Sequence, residues 1–154
     1  MSAAPSIWET IAVEAGRESE LWAAALRPAA EREQQAVFSP LAEGRYAVGL
    51  ESIYEGYLLH YGRPRLFQAD DRDTRILLGD YLYAHGLVRI AALGSVDAVG
   101  ALAELLSLCA HLRAEGLPGD GDAWAATVCS LDGAALPDEA ARALALRLHA
   151  ERVE

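Results

Sequence analysis

The chain has 154 residues, 53% of them hydrophobic, which is enough to build one core, so a single domain over residues 1–154 is expected. Its formal net charge of −10 argues against binding to nucleic acid or to an anionic membrane surface. All thirteen basic residues are arginines, which excludes Schiff-base and P-loop lysine chemistry and leaves planar cations suited to phosphate or carboxylate.

The N-terminal segment predicts helix over about Ser6–Arg27, because apolar residues recur on two stripes. Ser6 and the glutamate three residues later form a capping-box pattern. Gly16 is expected to interrupt this helix, and Ser19 to start a second, short one. Pro28 forces a boundary or a kink, since it lacks a backbone donor and clashes with the preceding turn.

Two longer helices are predicted in the middle of the chain. Ser39 and Pro40 form an N-cap and N1 pair, so a central helix is expected from there to about Tyr61. Three glycines in it indicate close approach to another helix, namely Gly44, Gly49 and Gly56. The next helix, about Asp73–Leu93, is apolar nearly all round and is predicted to be the most buried element.

Three further helices are predicted towards the C-terminus. The first, Val96–Arg113, is capped by a serine and should form an antiparallel hairpin with the helix before it. Asp122 is predicted to cap a short helix that ends near Leu131. Pro137 and the two acidic residues after it open a last helix to about Arg152. The sequence therefore predicts an all-α bundle of about six to seven helices and no strand.

Nucleophilic and zinc chemistry are poorly supported by the sequence. Cys109 and Cys129 lie in apolar helical contexts and are expected to be small buried residues in a reducing compartment. The four histidines are scattered without a zinc-binding spacing. His85 is the strongest functional candidate among them, because it lies in the most apolar helix, although a hydrogen-bonded structural histidine is the simpler interpretation.

Carboxylates at two places could hold a hard cation such as Mg²⁺. Glu51 and Glu55 are one helical turn apart, and Asp80 follows a group of aspartates at positions 70, 71 and 73. Solvated helix faces and helix caps are the simpler interpretation of such clusters. The predicted metal ligands are Glu51, Glu55 and Asp80.

One stretch resembles a known family. The run from Gly62 to Cys109 contains Gly-Arg-Pro, a loop and then Leu-Gly-Asp-Tyr-Leu-Tyr-Ala, and is similar to the trans-isoprenyl (polyprenyl) diphosphate synthases. Upstream, Ala25-Leu26-Arg27-Pro28 is weakly similar to that family's Arg-Leu-Arg-Pro. The clear resemblance covers about a third of the chain and implies the N-terminal half of the isoprenoid synthase fold.

The same register places Glu51-Ser52-Ile53-Tyr54-Glu55 where the family has its first aspartate-rich, Mg²⁺-binding motif. The paired arginines that follow that motif are replaced here by His60 and Tyr61, and the second aspartate-rich helix has no counterpart. Ionising an allylic diphosphate requires several cations around the leaving group. The resemblance therefore implies a pseudoenzyme without the family's reaction.

Three functions remain open. The first is a non-catalytic partner or regulatory subunit, or a prenyl-chain binder, that forms a homodimer or pairs with a full-length prenyl synthase. The second is a degenerate Mg²⁺-dependent prenyltransferase, and the third is a helical scaffold unrelated to isoprenoids. The residues predicted to line a ligand pocket are Tyr54, Tyr57, Tyr81, His85 and Arg63. In the alternative interpretation, the tyrosines fill the core or a dimer interface.

The start of the sequence, MSAAPSIWET, has neither a basic segment nor an apolar run of the secretory kind. No apolar run approaches the ~20 residues that a spanning helix needs. A cytoplasmic protein without a transmembrane segment is expected.

Overall fold

The computed structural model describes residues 4–131, 133 and 138–153, and this part of the chain is helical. Seven α-helices occur in it: α1 (Ile7–Glu18), α2 (Glu20–Ala25), α3 (Ala47–Tyr61), α4 (Arg72–Ala92), α5 (Val96–Ala114), α6 (Asp120–Ser130) and α7 (Glu139–Val153). Short 3-10 turns cover Ala29–Glu31, Ser39–Leu41 and Gly44–Tyr46. The predicted all-α class is confirmed. Within the described ranges, extended pairing is limited to one isolated bridge between Leu26 and Phe67.

Serine side chains start three of the helices, as the sequence predicts. The Ser6 hydroxyl accepts from the backbone N–H of Glu9 at 3.1 Å, and Ser19 and Ser95 cap α2 and α5 in the same way. These caps satisfy N–H groups that have no partner within the helix. The expected interruption at Gly16 is wrong, because α1 continues through it to Glu18.

The start of α3 was predicted too early. Ser39 and Pro40 form only a 3-10 turn, and Ala42 then takes an extended conformation, so the α-helix begins at Ala47. The segment before it folds back to bury the rings of Phe38 and Tyr46, each 1% exposed. Burial of two aromatic rings outweighs the local helix-starting signal.

Helix α3 is the central element, and its packing against α4 is the most extensive contact among the described helices. Two glycines of each helix meet across this antiparallel contact. A Cβ on Gly56 would lie 2.7 Å from the carbonyl oxygen of Gly79, and a Cβ on Gly86 would lie 2.7 Å from that of Gly49. The close approach predicted at Gly49 and Gly56 is confirmed, whereas Gly44 has no neighbour that a Cβ would touch.

The prediction that the fourth helix is the most buried element is wrong. Eleven residues of α3 are buried, but α4 buries only one stripe, which includes Leu78, Leu82 and Ile90. The opposite face of α4 exposes Leu77 and Val88. The apolar residues of α4 therefore serve both the core and the surface, which a hydropathy pattern does not distinguish.

The helix that follows the 115–119 loop, in contrast to α3, begins earlier than expected. It starts at Asp120 after Gly119, whose φ of 113° lies in the left-handed region. Asp122 is therefore in the first turn of α6 and does not cap it; it pairs with Arg142 of α7 at 2.9 Å. Pro137, predicted to open the last helix, lies outside the described residues.

Two hydrophobic clusters share α3. The larger one packs the inner faces of α3, α5, α6 and α7 around Trp124, and the smaller one packs α1 and α2 around Leu66 and Phe67. Neighbouring residues of α3, Leu58 and Leu59, belong to different clusters. None of the described helices combines the length and the apolar character needed to cross a membrane.

Candidate functional site

The carboxylates of Glu51 and Glu55 lie side by side on α3, and both are buried, with 1% and 0% of each residue exposed. The chain leaves α3, turns at Gly62 and returns along the helix, so that Arg65 is inserted between the two carboxylates. Arg65 is itself fully buried. Because a buried charge is unfavourable without a partner, these three residues must be considered as one unit.

Hydrogen bonds occupy all four carboxylate oxygens of this unit. Arg65 donates from Nη1 to Glu51 Oε2 at 2.5 Å and from Nε to Glu55 Oε1 at 3.0 Å. The second oxygen of Glu51 accepts from the backbone N–H of Val37 at 3.3 Å. The second oxygen of Glu55 accepts from the backbone N–H groups of Arg65 and Leu66, at 2.9 and 2.7 Å.

Aromatic rings enclose the Arg65 guanidinium. Its central carbon lies 4.8 Å from the centre of the Trp8 ring and 5.1 Å from that of Tyr54. Burial acts to lower the pKa of Arg65, but the charges of Glu51 and Glu55 outweigh it, so the pKa is raised and the guanidinium stays charged. The cation sits where the sequence predicted a metal ion.

The three predicted metal ligands do not converge. Glu51 and Glu55 are buried and paired with Arg65, whereas Asp80 is 61% exposed on α4 and pairs with His60 at 3.1 Å. No group of three or more acidic, histidine or cysteine residues in the described part of the chain could hold a metal ion. The physical reason is that Arg65 already supplies the positive charge that the two carboxylates require.

A second polar network lies among α3, α5, α6 and α7. Asp120 Oδ2 accepts from the Tyr57 hydroxyl at 2.7 Å, from Arg113 Nη2 at 2.6 Å and from His149 Nε2 at 3.0 Å. The other ring nitrogen of His149 shares a hydrogen bond with the Tyr54 hydroxyl at 2.7 Å. The network thus joins residues up to 95 positions apart in sequence.

The order hydroxyl, imidazole, carboxylate matches that of a catalytic relay, but its surroundings do not favour catalysis. Burial raises the pKa of both Tyr54 and Tyr57, which makes the reactive phenolates less accessible. The ring of Phe38 lies 5.4 Å from that of Tyr54 and 5.3 Å from that of His149, and both centres are in the closed core. The network therefore connects four helices, α3, α5, α6 and α7, with its hydroxyls and imidazole held in the core.

The residues predicted to line one ligand pocket lie in three places. Tyr54 and Tyr57 pack in the larger cluster, while Tyr81 stacks on His85 at 5.4 Å beside the smaller one. His85 also pairs with Glu14 of α1 at 2.7 Å. Arg63 lies in a separate cleft near the end of α3. The tyrosines of α3 thus fill the core, as in the alternative interpretation of the sequence.

Of the two cysteines that the sequence predicted to be buried, Cys109 is buried and Cys129 is only partly so. Cys109 is buried, and desolvation raises its pKa to about 11. Cys129 is half-buried, and its pKa is also raised by desolvation. Neither shows the lowered pKa of an activated nucleophile.

Sequence reasoning missed three of the residues that organise these networks: Arg65, Asp120 and His149. One signal was available for the first. Two glutamates one turn apart, on a helix that is apolar on every other side, require a cation nearby if the helix is central. Arg65 lies within the motif that carries the family resemblance, but nothing local identifies it as that cation.

Searches with this chain against family models, curated proteins and solved structures find no match. The resemblance to prenyl synthases therefore rests on the motifs in the sequence.

Proposed function

We propose that this protein is a non-catalytic, prenyl-synthase-like helical subunit that acts by binding a full-length prenyl diphosphate synthase. The observation that carries the proposal is the salt bridge of Arg65 to both Glu51 and Glu55, at 2.5 and 3.0 Å. In the register of the family resemblance, these glutamates stand where the family binds Mg²⁺. An arginine in that place neutralises the carboxylates but offers no open coordination position to a diphosphate.

The close packing of the core favours the role of a subunit over that of a prenyl-chain binder. Tyr54 and Tyr57, which were predicted to line a ligand pocket, are 1% and 0% exposed and pack edge-on against Trp124, so side chains fill the space around them. By contrast, apolar side chains are exposed on α4 and α5. We define the hairpin surface as Leu77 and Val88 of α4 together with Val96 of α5; Val88 is 64% exposed. Exposed apolar side chains that form one patch are typical of protein interfaces, and the hairpin surface is proposed as such a patch.

The first experiment tests catalysis by the purified chain. It is incubated with Mg²⁺, isopentenyl diphosphate and an allylic diphosphate, and both chain elongation and released pyrophosphate are measured. We expect neither product, because Arg65 blocks the metal position. Turnover that depends on Mg²⁺ and is lost in Glu55→Gln would overturn the proposal in favour of a degenerate prenyltransferase.

The second experiment tests the partner by coexpression with a full-length prenyl synthase of the same cell. We expect the two chains to co-purify and the product length of the synthase to change. Val88→Glu should abolish both effects without unfolding the chain, since this side chain is mostly in solvent. Leu144→Glu on α7, an exposed leucine away from the hairpin surface, is the matched control. If no complex forms and the products are unchanged, a scaffold unrelated to isoprenoids is the better explanation.

A further inference from the structure

A second candidate site lies at the C-terminal end of α3, where several arginines lie close together in an otherwise acidic protein. A cleft of about 440 Å³ opens there, and its wall includes the side chains of Arg27, Arg63 and Arg75. Two glutamates, Glu31 and Glu33, complete the charged part of the wall. The cleft is separate from the buried unit around Arg65.

Backbone carbonyls hold two of these arginines in place. Arg75 donates from Nε to the carbonyl of Leu59 and from Nη2 to that of Gly62, both at 3.2 Å, and so satisfies the C-terminal end of α3. Arg27 donates to the carbonyls of Phe67 and Pro64, at 3.2 and 3.3 Å. A guanidinium has five N–H donors, so each of these two side chains keeps three for another acceptor.

None of Arg27, Arg63 and Arg75 forms a salt bridge with a carboxylate among the described residues. The third, Arg63, is exposed and donates to the carbonyl of Glu151. Carbonyls are neutral, so these hydrogen bonds orient the three cations without cancelling their charge.

The glutamates of the cleft do not neutralise it. Glu33 pairs with Arg152 at 2.6 Å, and Arg152 also donates to Gln35 and is 5% exposed. The pKa of Glu33 is lowered first by the hydrogen bond from Arg152 and further by the charges of Arg27 and Arg63. Arg152 and the three arginines of the wall carry four positive charges, and the two glutamates carry two negative charges. The cleft therefore has an excess of two positive charges.

We propose that this cleft binds a phosphate dianion, either inorganic phosphate or the phosphate of a small monoester. A phosphate monoester carries about −1.5 to −2 charges at pH 7 and has three acceptor oxygens, which matches the excess charge and the free donors. Planar guanidinium groups bind such oxygens in pairs. A single carboxylate would leave one of the two positive charges uncompensated. This inference is independent of the subunit function proposed above.

The test is isothermal titration calorimetry of the full chain at low ionic strength, with inorganic phosphate, glycerol 3-phosphate and acetate as probes. We expect both phosphates to bind and acetate not to bind, with affinity that falls as salt is added. If glycerol 3-phosphate binds more tightly than inorganic phosphate, the ligand is a phosphate monoester. If it binds equally or more weakly, the ligand is inorganic phosphate. Equal heats from acetate and phosphate, or no heat from either phosphate at millimolar concentration, would overturn the proposal.

Variants locate the site. Arg63→Gln and Arg75→Gln should each weaken phosphate binding about tenfold or more, the cost of one charge-assisted hydrogen bond. Arg147→Gln removes the same charge from an exposed position on α7 and should leave binding unchanged. Because Arg75 also holds the end of α3, Arg63→Gln is the decisive variant, since its side chain is exposed. Unchanged binding in Arg63→Gln, or an equal loss in Arg147→Gln, would refute the assignment.

Discussion

Arg65 illustrates how one side chain can decide the chemistry of a site. A metal ion and an arginine both satisfy a pair of carboxylates, but an arginine is part of the chain and cannot exchange ligands. Its Nε and Nη1 atoms, the two carboxylates and the backbone N–H groups around them form a closed set of hydrogen bonds. Breaking such a set leaves an uncompensated buried charge. The unit therefore stabilises the fold in its present state and has no vacant position for a ligand.

At the same scale, Asp120 should make stability depend on pH. Burial acts to raise its pKa, but hydrogen bonds from His149, Tyr57 and Arg113 outweigh it, and the pKa is lowered well below the ordinary value. A carboxyl with a lowered folded-state pKa stabilises the fold above its unfolded pKa of about 3.9, and this contribution is lost as the pH falls through the lower value.

We expect Asp120→Asn to lower the free energy of unfolding at pH 7 by about 2 kcal/mol, because it weakens charge-assisted hydrogen bonds. The difference from the parent chain should shrink at pH 3, which is below the unfolded pKa of about 3.9, because the unfolded parent chain then takes up a proton that the folded carboxylate does not yet bind. Urea denaturation at both pH values measures it. Asp122→Asn is the control, since that carboxylate is 68% exposed and pairs only at the surface. Equal stability of Asp120→Asn and the parent at pH 7 would contradict the prediction.

At the scale of the element, the contact of α3 with α4 depends on glycine. Gly49 faces Gly86, and Gly56 faces Gly79, and the two pairs are seven positions apart on each helix. At each of these contacts a backbone carbonyl lies where a Cβ would be placed. A carbonyl cannot move aside as a flexible side chain can, so the two helices would have to separate.

We predict that Gly56→Ala lowers the free energy of unfolding by roughly 1–3 kcal/mol through overpacking. Gly100→Ala is a matched control on α5, because a Cβ there meets nothing within 4 Å. It should raise stability by about 0.5–1 kcal/mol, the usual advantage of alanine over glycine inside a helix. Urea denaturation followed by circular dichroism reports both changes. A Gly56→Ala variant as stable as the parent chain would mean that the helices are not in close contact.

At the scale of the whole molecule, the two hydrophobic clusters should not unfold separately, because both are built on α3. Leu58 supports the larger cluster and Leu59 the smaller one. In addition, Arg152 of α7 bonds to Glu33 and Gln35 in the segment that precedes α3. The C-terminal helix is thus tied to the segment that leads into the central helix.

The three tryptophans provide a test of this coupling. Trp8 and Trp22 belong to the smaller cluster, and Trp124 lies in the larger one. In Trp124→Phe the remaining tryptophans, Trp8 and Trp22, report the unfolding of the smaller cluster by fluorescence. We expect the urea midpoint measured by fluorescence in this variant to equal the midpoint measured by circular dichroism. The double variant Trp8→Phe, Trp22→Phe reports the larger cluster and should behave likewise. Separate midpoints within either variant would show that the clusters unfold independently.

The sequence by itself determined the elements formed by neighbours along the chain. Its alanine and leucine content predicted the all-helical class, the serines at 6, 19 and 95 predicted three helix starts, and Gly49 and Gly56 predicted a close helix contact. Capping and periodicity depend on residues three or four apart, which can be compared directly in a sequence.

Only the tertiary structure decided which charged groups meet. Arg65 reaches Glu51 across a turn of the chain, His149 reaches Tyr54 across 95 positions, and Arg27, Arg63 and Arg75 gather at one cleft. Burial settles such pairings, since a charge removed from water must find a partner wherever the fold places one. That requirement acts through space, so Glu51 and Glu55 could be recognised in the sequence while the cation between them could not.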